Sequence, residues 1–266
     1  MNLKSISLVI ASSALIAGTA FAFGTTGCSG ECISCHAIKK EEFVKIFKTI
    51  DPQAKVIDVK LSPVKGLYEL TMETPKNKGI VYMDFGKKHI VSGNIIDISS
   101  KTNLTSSRIE QVAAKTIQIS RIPVKDAIIL GNPKGKKTIY VFTDPDCPFC
   151  QKLHPELKSL IREDKNLRVA LILSPLPIHP DAKWKSQAII SKSHGDMPGA
   201  IILLEDSYTN KPLARPQDST LAMVAGNLKA SKDLGIKLLP SIVLPNGKVF
   251  EGFKPKAEIK TLLSQS

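Results

Sequence analysis

Lys137-Thr138-Ile139-Tyr140-Val141-Phe142-Thr143-Asp144-Pro145-Asp146-Cys147-Pro148-Phe149-Cys150 reads, in order, as a strand, a tight loop and the start of a helix. The β-branched and aromatic run 137–143 suits a buried strand, and Leu153, Leu157, Leu160 and Ile161 mark one face of the helix that follows. The two cysteines therefore fall on the first turn of that helix. Free N–H groups and partial positive charge at a helix N-terminus favour a thiolate over a thiol. Cys147, nearer the end and the more exposed of the two, is expected to be the nucleophile of low pKa. Cys150, one turn deeper, is expected to be the resolving thiol that closes a disulfide. No metal is expected, because a zinc site would need a second pair of ligands beside this one.

Toward the C-terminus an alternating β/α pattern continues. Strand 167–173 is followed by a helical region from about 181 to about 230, broken at 195–199 and 210–216. Strand 241–244, the turn Pro245-Asn246-Gly247-Lys248, strand 249–252 and a closing helix 255–263 complete the chain. Pro240 stands at the head of a strand, where a ladder would want an N–H. A cis Leu239-Pro240 bond would set Pro240 beside the cysteines and leave the Leu239 backbone free to pair with an extended substrate. Strand, C-x-x-C, helix, strand, helices, proline, hairpin and helix make the thioredoxin plan with a helical insertion, over residues 123–266.

Toward the N-terminus, residues 103–122 read as a linker helix, with Ile109, Val112, Ala113 and Ile117 as a thin apolar stripe. Ser107 with Glu110, or Thr105, offers a start signal, and Pro123 a stop. Residues 38–102 read as a small α+β domain. A helix, 40–50, carries Phe43, Ile46, Phe47 and Ile50, and four strands follow at 56–61, 67–71, 80–85 and 89–98, with Gly, Pro and Lys at the breaks. A domain of that size is short of core on its own and stands to gain from pairing with a second copy.

Residues 1–22 have the form of a secretory signal, with Lys4, the apolar stretch 6–16 and the small-x-small site Ala20-Phe21-Ala22. Cleavage after Ala22 would start the mature chain at Phe23, and export places the cysteines in an oxidising compartment. The net charge of +13 comes mostly from scattered lysines without aromatic interleaving, which argues against a nucleic-acid partner. Three of the five cysteines, Cys28, Cys32 and Cys35, crowd the segment 23–37. Cys32-Ile33-Ser34-Cys35-His36 matches the spacing for covalent c-type haem, with His36 as the iron ligand; a disulfide or an accessory thiol pair among these cysteines is the alternative.

Several motifs resemble the periplasmic disulfide isomerase family DsbC/DsbG. They are Leu61-Ser62-Pro63-Val64-Lys65-Gly66-Leu67-Tyr68, the stretch 97–104, Phe142 to Cys150 with Lys152-Leu153-His154, and Pro175-Leu176-Pro177-Ile178-His179-Pro180-Asp181. The resemblance covers residues 40 to 264. It implies a cystatin-like N-terminal dimerisation domain, a V-shaped homodimer, and two thioredoxin domains facing a cleft for misfolded, disulfide-bonded exported proteins. It also implies a membrane thiol reductase of the DsbD type as partner, catalysis by Cys147 and Cys150 without a required cofactor, an active-site loop of Pro148 and Phe149, and substrate contacts at Leu239 and Pro240. The family's usual threonine before the cis-proline is Leu239 here, and Ser191 stands at one position of its second disulfide. A thiol oxidase of thioredoxin type, and a chaperone working through the cleft alone, are the other readings that fit this pattern.

Overall fold

Phe43 and Phe47 lie one turn apart on helix α1 (Lys40–Ile50) and bury their rings against a sheet. The computed structural model describes residues 38–75, 78–215, 221–264 and 266. Cys28, Cys32, Cys35, His36 and the signal segment lie outside the described residues. The sheet is an antiparallel meander of β1 (Lys55–Leu61), β2 (Leu67–Glu73), β3 (Lys78–Asp84) and β4 (Ile90–Val91), in chain order. Alternation turns Tyr68, Leu70 and Met72 toward α1, where Tyr68 meets the edge of Phe43 at a centroid distance of 4.9 Å.

The opposite face of β2 carries Glu69 and Thr71, and these are buried too. Their cover is helix α2 (Leu104–Ala113), which packs on β3. Thr105 on α2 shares a 2.6 Å hydrogen bond with the Tyr82 hydroxyl, and Arg108 Nε donates to Glu69 Oε1 at 2.9 Å. The sheet is thereby packed on both faces, and its second layer comes from outside residues 38–102, from the segment read as a linker.

Two further sequence expectations change. The strand expected over 89–98 is broken into β4 and β5 (Ile96–Asp97), which pairs with β6 (Thr102–Asn103). Ser92-Gly93-Asn94 interrupts the run, and the Asp97 carboxylate turns the chain back by accepting from Ser99 Oγ and from both N and Oγ of Ser100. The linker helix expected over 103–122 ends at Ala113, and its N-cap is Asn103, whose side chain accepts from Ser106 N. Beyond it, Lys115-Thr116-Ile117 runs extended beside the 247–249 turn. Ile117 N donates to Gly247 O, and Val249 N to Lys115 O, both at 2.9 Å. A β-branched pair next to an unpaired backbone edge satisfies its polar groups better as a strand than as another helical turn.

The second sheet has the order β11-β10-β8-β9-β7, from β7 (Ile128–Gly131), β8 (Lys137–Thr143), β9 (Leu167–Leu173), β10 (Ser241–Val243) and β11 (Val249–Glu251). β8 and β9 are parallel and every other neighbouring pair is antiparallel. Helix α3 (Pro148–Glu163) lays Leu153, Leu157 and Leu160 into the core, and α7 (Lys256–Ser264) packs beside it. Between β9 and β10 come α4 (Ala182–Ser193), α5 (Met197–Tyr208) and α6 (Leu221–Asp233), the helical insertion. No described helix is long and apolar enough to cross a membrane.

Candidate active site

The chain leaves β8 at Thr143, turns through Asp144-Pro145-Asp146 and enters α3 with Cys147 as N-cap and Pro148 as the first helical residue. Proline suits that place, since its missing N–H would have no partner there. Cys150 follows within the first turn. Both are free thiols, 5% and 1% exposed respectively. Cys147 is thus the more exposed, as expected, but by little. Across from it the Leu239-Pro240 peptide is cis, and the Leu239 carbonyl oxygen lies 4.0 Å from Cys147 Sγ. The structure so brings Cys147, Cys150, Leu239 and Pro240 together from the two ends of the domain. Phe149, 55% exposed, and Ile178, 77% exposed, stand out from the loops at this end of the sheet, and Leu238 is exposed next to Leu239.

The two thiols are strongly unequal. Cys147 is lowered to about 6, first because the Cys150 thiol donates a hydrogen bond to its sulfur. The N–H groups of Cys150 and Phe149 at the helix end add to this, while burial and the nearby Asp144 charge oppose it. Cys150 is pushed far up, because its proton is the one held between the two sulfurs and because it is buried. The Thr143 hydroxyl works against that rise. It also shares a 2.9 Å hydrogen bond with the phenol of the buried Tyr208, which burial holds above the usual tyrosine range.

Sequence reasoning missed three residues around the dithiol, Asp144, His179 and Tyr208. Val141, on β8, is a buried apolar residue, and no carboxylate enters the site from that strand. Asp144, just past the strand, does enter it, wholly buried. His179, in the loop after β9, brings its Nδ1 to 2.8 Å from Asp144 Oδ2. Tyr208, on the insertion, closes the floor of the site beside Thr143. The Asp-Pro-Asp loop next to a buried strand was the available signal for Asp144. His154, on α3, packs its ring 5.5 Å from Tyr208 and meets Glu205 Oε1 at 3.1 Å; burial lowers its pKa.

Residues 124–266 match the family model described as a thioredoxin-like domain, and residues 35–106 match the disulfide bond isomerase protein N-terminal domain. The chain belongs to the DsbC family of the thioredoxin superfamily. A thiol:disulfide interchange protein DsbC of Escherichia coli (strain K12) is 25% identical over 213 residues, 79% of this chain and 82% of that one. The DsbC of Dickeya dadantii (strain 3937) is 26% identical over 213 residues, 77% and 79% of the two chains. Among solved structures, a disulfide interchange protein from Neisseria gonorrhoeae covers 53% of this chain and 96% of its own, at 25% identity and a TM-score of 0.44. The two matched domains meet the architecture described above, and Cys147 and Cys150 lie in the second of them.

Proposed function

We propose that the chain is a periplasmic thiol:disulfide isomerase and reductase that reshuffles wrong disulfides in exported proteins. What carries this reading is the placement of the dithiol at the N-terminus of α3, with Cys147 as N-cap beside the Leu239 carbonyl and Cys150 buried in the first turn, an arrangement that favours a thiolate at Cys147 and a thiol at Cys150. The Cys147 thiolate attacks one sulfur of a substrate disulfide, forms a mixed disulfide and releases the other sulfur as a thiolate. A second substrate thiolate then attacks the mixed disulfide. A native S–S bond forms, the Cys147 thiolate returns, and no electrons are gained or lost. In the other branch Cys150 gives up its proton and attacks Cys147 Sγ. The substrate leaves as a dithiol, and the enzyme, oxidised by two electrons, must be reduced by a membrane thiol reductase of the DsbD type.

The geometry supports a bias toward the first branch. Cys150 is buried and no carboxylate enters the site from β8 to take its proton, so resolution from within is slow and the substrate has time to exchange. The exposed Phe149, Ile178 and Leu238 offer apolar contact to an unfolded chain. The homodimer belongs to the same proposal: Ile90 and Val91 stand exposed on β4, the open edge strand of the first sheet, and Ile96 and Ile98 are exposed in the segment that follows. No cofactor takes part in these steps.

The test is recovery of activity from a scrambled, disulfide-rich substrate in a glutathione buffer. Wild-type protein is expected to accelerate recovery, and Cys147→Ala to reduce it to the buffer rate; equal activity of the two ends the proposal. Sedimentation at micromolar concentration is expected to show a dimer, and Val91→Asp a monomer. Cys147 at about 6 also stabilises the reduced form, which is the property an oxidase uses. A wild-type protein that oxidises a reduced substrate faster than it unscrambles an oxidised one would favour that second reading.

A further inference from the structure

The loop that delivers Cys147 holds a buried carboxyl group, hydrogen-bonded to a half-buried histidine, that the exchange steps above leave unused. Asp144 is 0% exposed. Its carboxylate meets three N–H donors: Asp146 N on Oδ1 at 2.7 Å, Leu176 N on Oδ2 at 2.6 Å, and His179 Nδ1 on Oδ2 at 2.8 Å. Both carboxylate oxygens of Asp144 are thereby held in place by hydrogen bonds. The backbone of the same residue touches the dithiol. Its carbonyl accepts from Cys147 N at 3.2 Å, and its N–H acts on Cys150. Asp144 therefore ties the loop before α3 to the proline-rich loop after β9, with the two cysteines on its backbone side.

The charges around this pair are otherwise spoken for. Asp146 is held by Lys185 Nζ at 2.5 Å, and the Pro145 carbonyl by Ser207 Oγ at 3.0 Å. The remaining titratable neighbours are the two thiols and the buried Tyr208 phenol, on which the Asp144 charge also acts. His179 is in turn set by its own backbone, whose N–H donates to Leu176 O at 3.0 Å.

We propose that Asp144, with His179 as its partner, is a positioning residue that sets the redox poise of the Cys147/Cys150 dithiol. The inference rests on the exchange reading of the site. A negative charge buried three residues from Cys147 opposes a thiolate there, and in the buried loop little water screens it. The thiolate exists only in the reduced enzyme, so the Asp144 charge destabilises the reduced form and makes the dithiol a better reductant. The His179 N–H draws charge away from Oδ2 and tempers that effect. The pair thus acts as a setting with two opposed hands, one on each loop.

The experiment uses the full chain and its Asp144→Asn and His179→Ala variants. Each is equilibrated with glutathione buffers, and separately alkylated in short pulses across pH. Both are read by mass on the peptide that carries Cys147 and Cys150, so that the other cysteines do not contribute. Asp144→Asn is expected to move the glutathione equilibrium at least fivefold toward the dithiol and to move the alkylation midpoint of Cys147 to lower pH. His179→Ala is expected to move both in the opposite direction, the equilibrium by at least twofold. A purely structural staple would lower the melting temperature of both variants and leave both readouts within twofold of wild type; that result, or shifts of the same sign, overturns the proposal. Should Asp144→Asn fail to fold, an unmoved His179→Ala overturns it alone. Both readouts report on the dithiol itself, so they succeed or fail whether or not the wild-type chain unscrambles a substrate.

Discussion

At the scale of the residue, the two sulfurs are one titrating unit. The first cause of the low value at Cys147 is the hydrogen bond from Cys150, ahead of the helix end. Cys150→Ala should therefore raise the midpoint of Cys147 alkylation from about 6, and should trap mixed disulfides with substrate that a gel without reductant would show. In the wild type the alkylation rate should be flat above pH 7 and fall roughly tenfold per unit well below about 6, as thiolate is lost. A thiol whose folded value is depressed adds stability to the reduced protein above the unfolded thiol value, and that increment is lost as pH falls through about 6. Urea midpoints of reduced and oxidised protein, compared at pH 8 and pH 5, should show the reduced form losing ground in acid. Cys147 and Cys150 were legible because their spacing and their helix carry the chemistry locally. Asp144 and His179 were not read as a pair, because 35 residues separate them and only the parallel pairing of β8 and β9 brings their loops together.

At the scale of the element, Gly247 shows how a turn can be fixed twice. Its φ of +81° is left-handed, and an added Cβ would lie 2.4 Å from Ile117 O. Gly247→Ala should cost about 1–3 kcal/mol, read as a lower urea midpoint, with the dithiol equilibrium unchanged. The Asn246-Gly247 turn was legible from its dipeptide. The reason the glycine also meets residues 115–117 was not, since that segment continued a helical apolar stripe in sequence and a backbone edge overrode it. The same override explains β2. Glu69 and Thr71 look like the solvent face of a half-buried strand, and become interior only when α2 lies over them.

At the scale of the whole molecule, α2 is held from both sides. Arg108 reaches Glu69 and Asp58 in the first domain, while Glu110 pairs with Lys254 at 2.5 Å and Ser107 Oγ lies 3.3 Å from Glu258 Oε1 in the second. Glu69 is buried, and its other partner, Lys60 at 3.2 Å, is itself partly exposed. Arg108→Ala leaves that carboxylate short of its best donor and should cost about 3 kcal/mol, measured by urea unfolding at fixed protein concentration. The two-domain plan was readable from the order of elements, because hairpin spacing and β/α alternation are properties of local sequence. The grip of α2 on both domains was not, because it rests on single polar side chains brought together over long separations, such as Lys254 on Glu110.

The extended segment 115–117 has a practical consequence for anyone who divides this chain. The second domain, judged by its first strand, would be cut near residue 124. Such a fragment would lose the backbone groups that Gly247 and Val249 meet at Ile117 and Lys115, and would present bare amide and carbonyl groups at the β11 side of its sheet. A fragment that begins at Ala114 keeps that border sealed. Light scattering should find the shorter piece forming oligomers at concentrations where the longer one stays monodisperse.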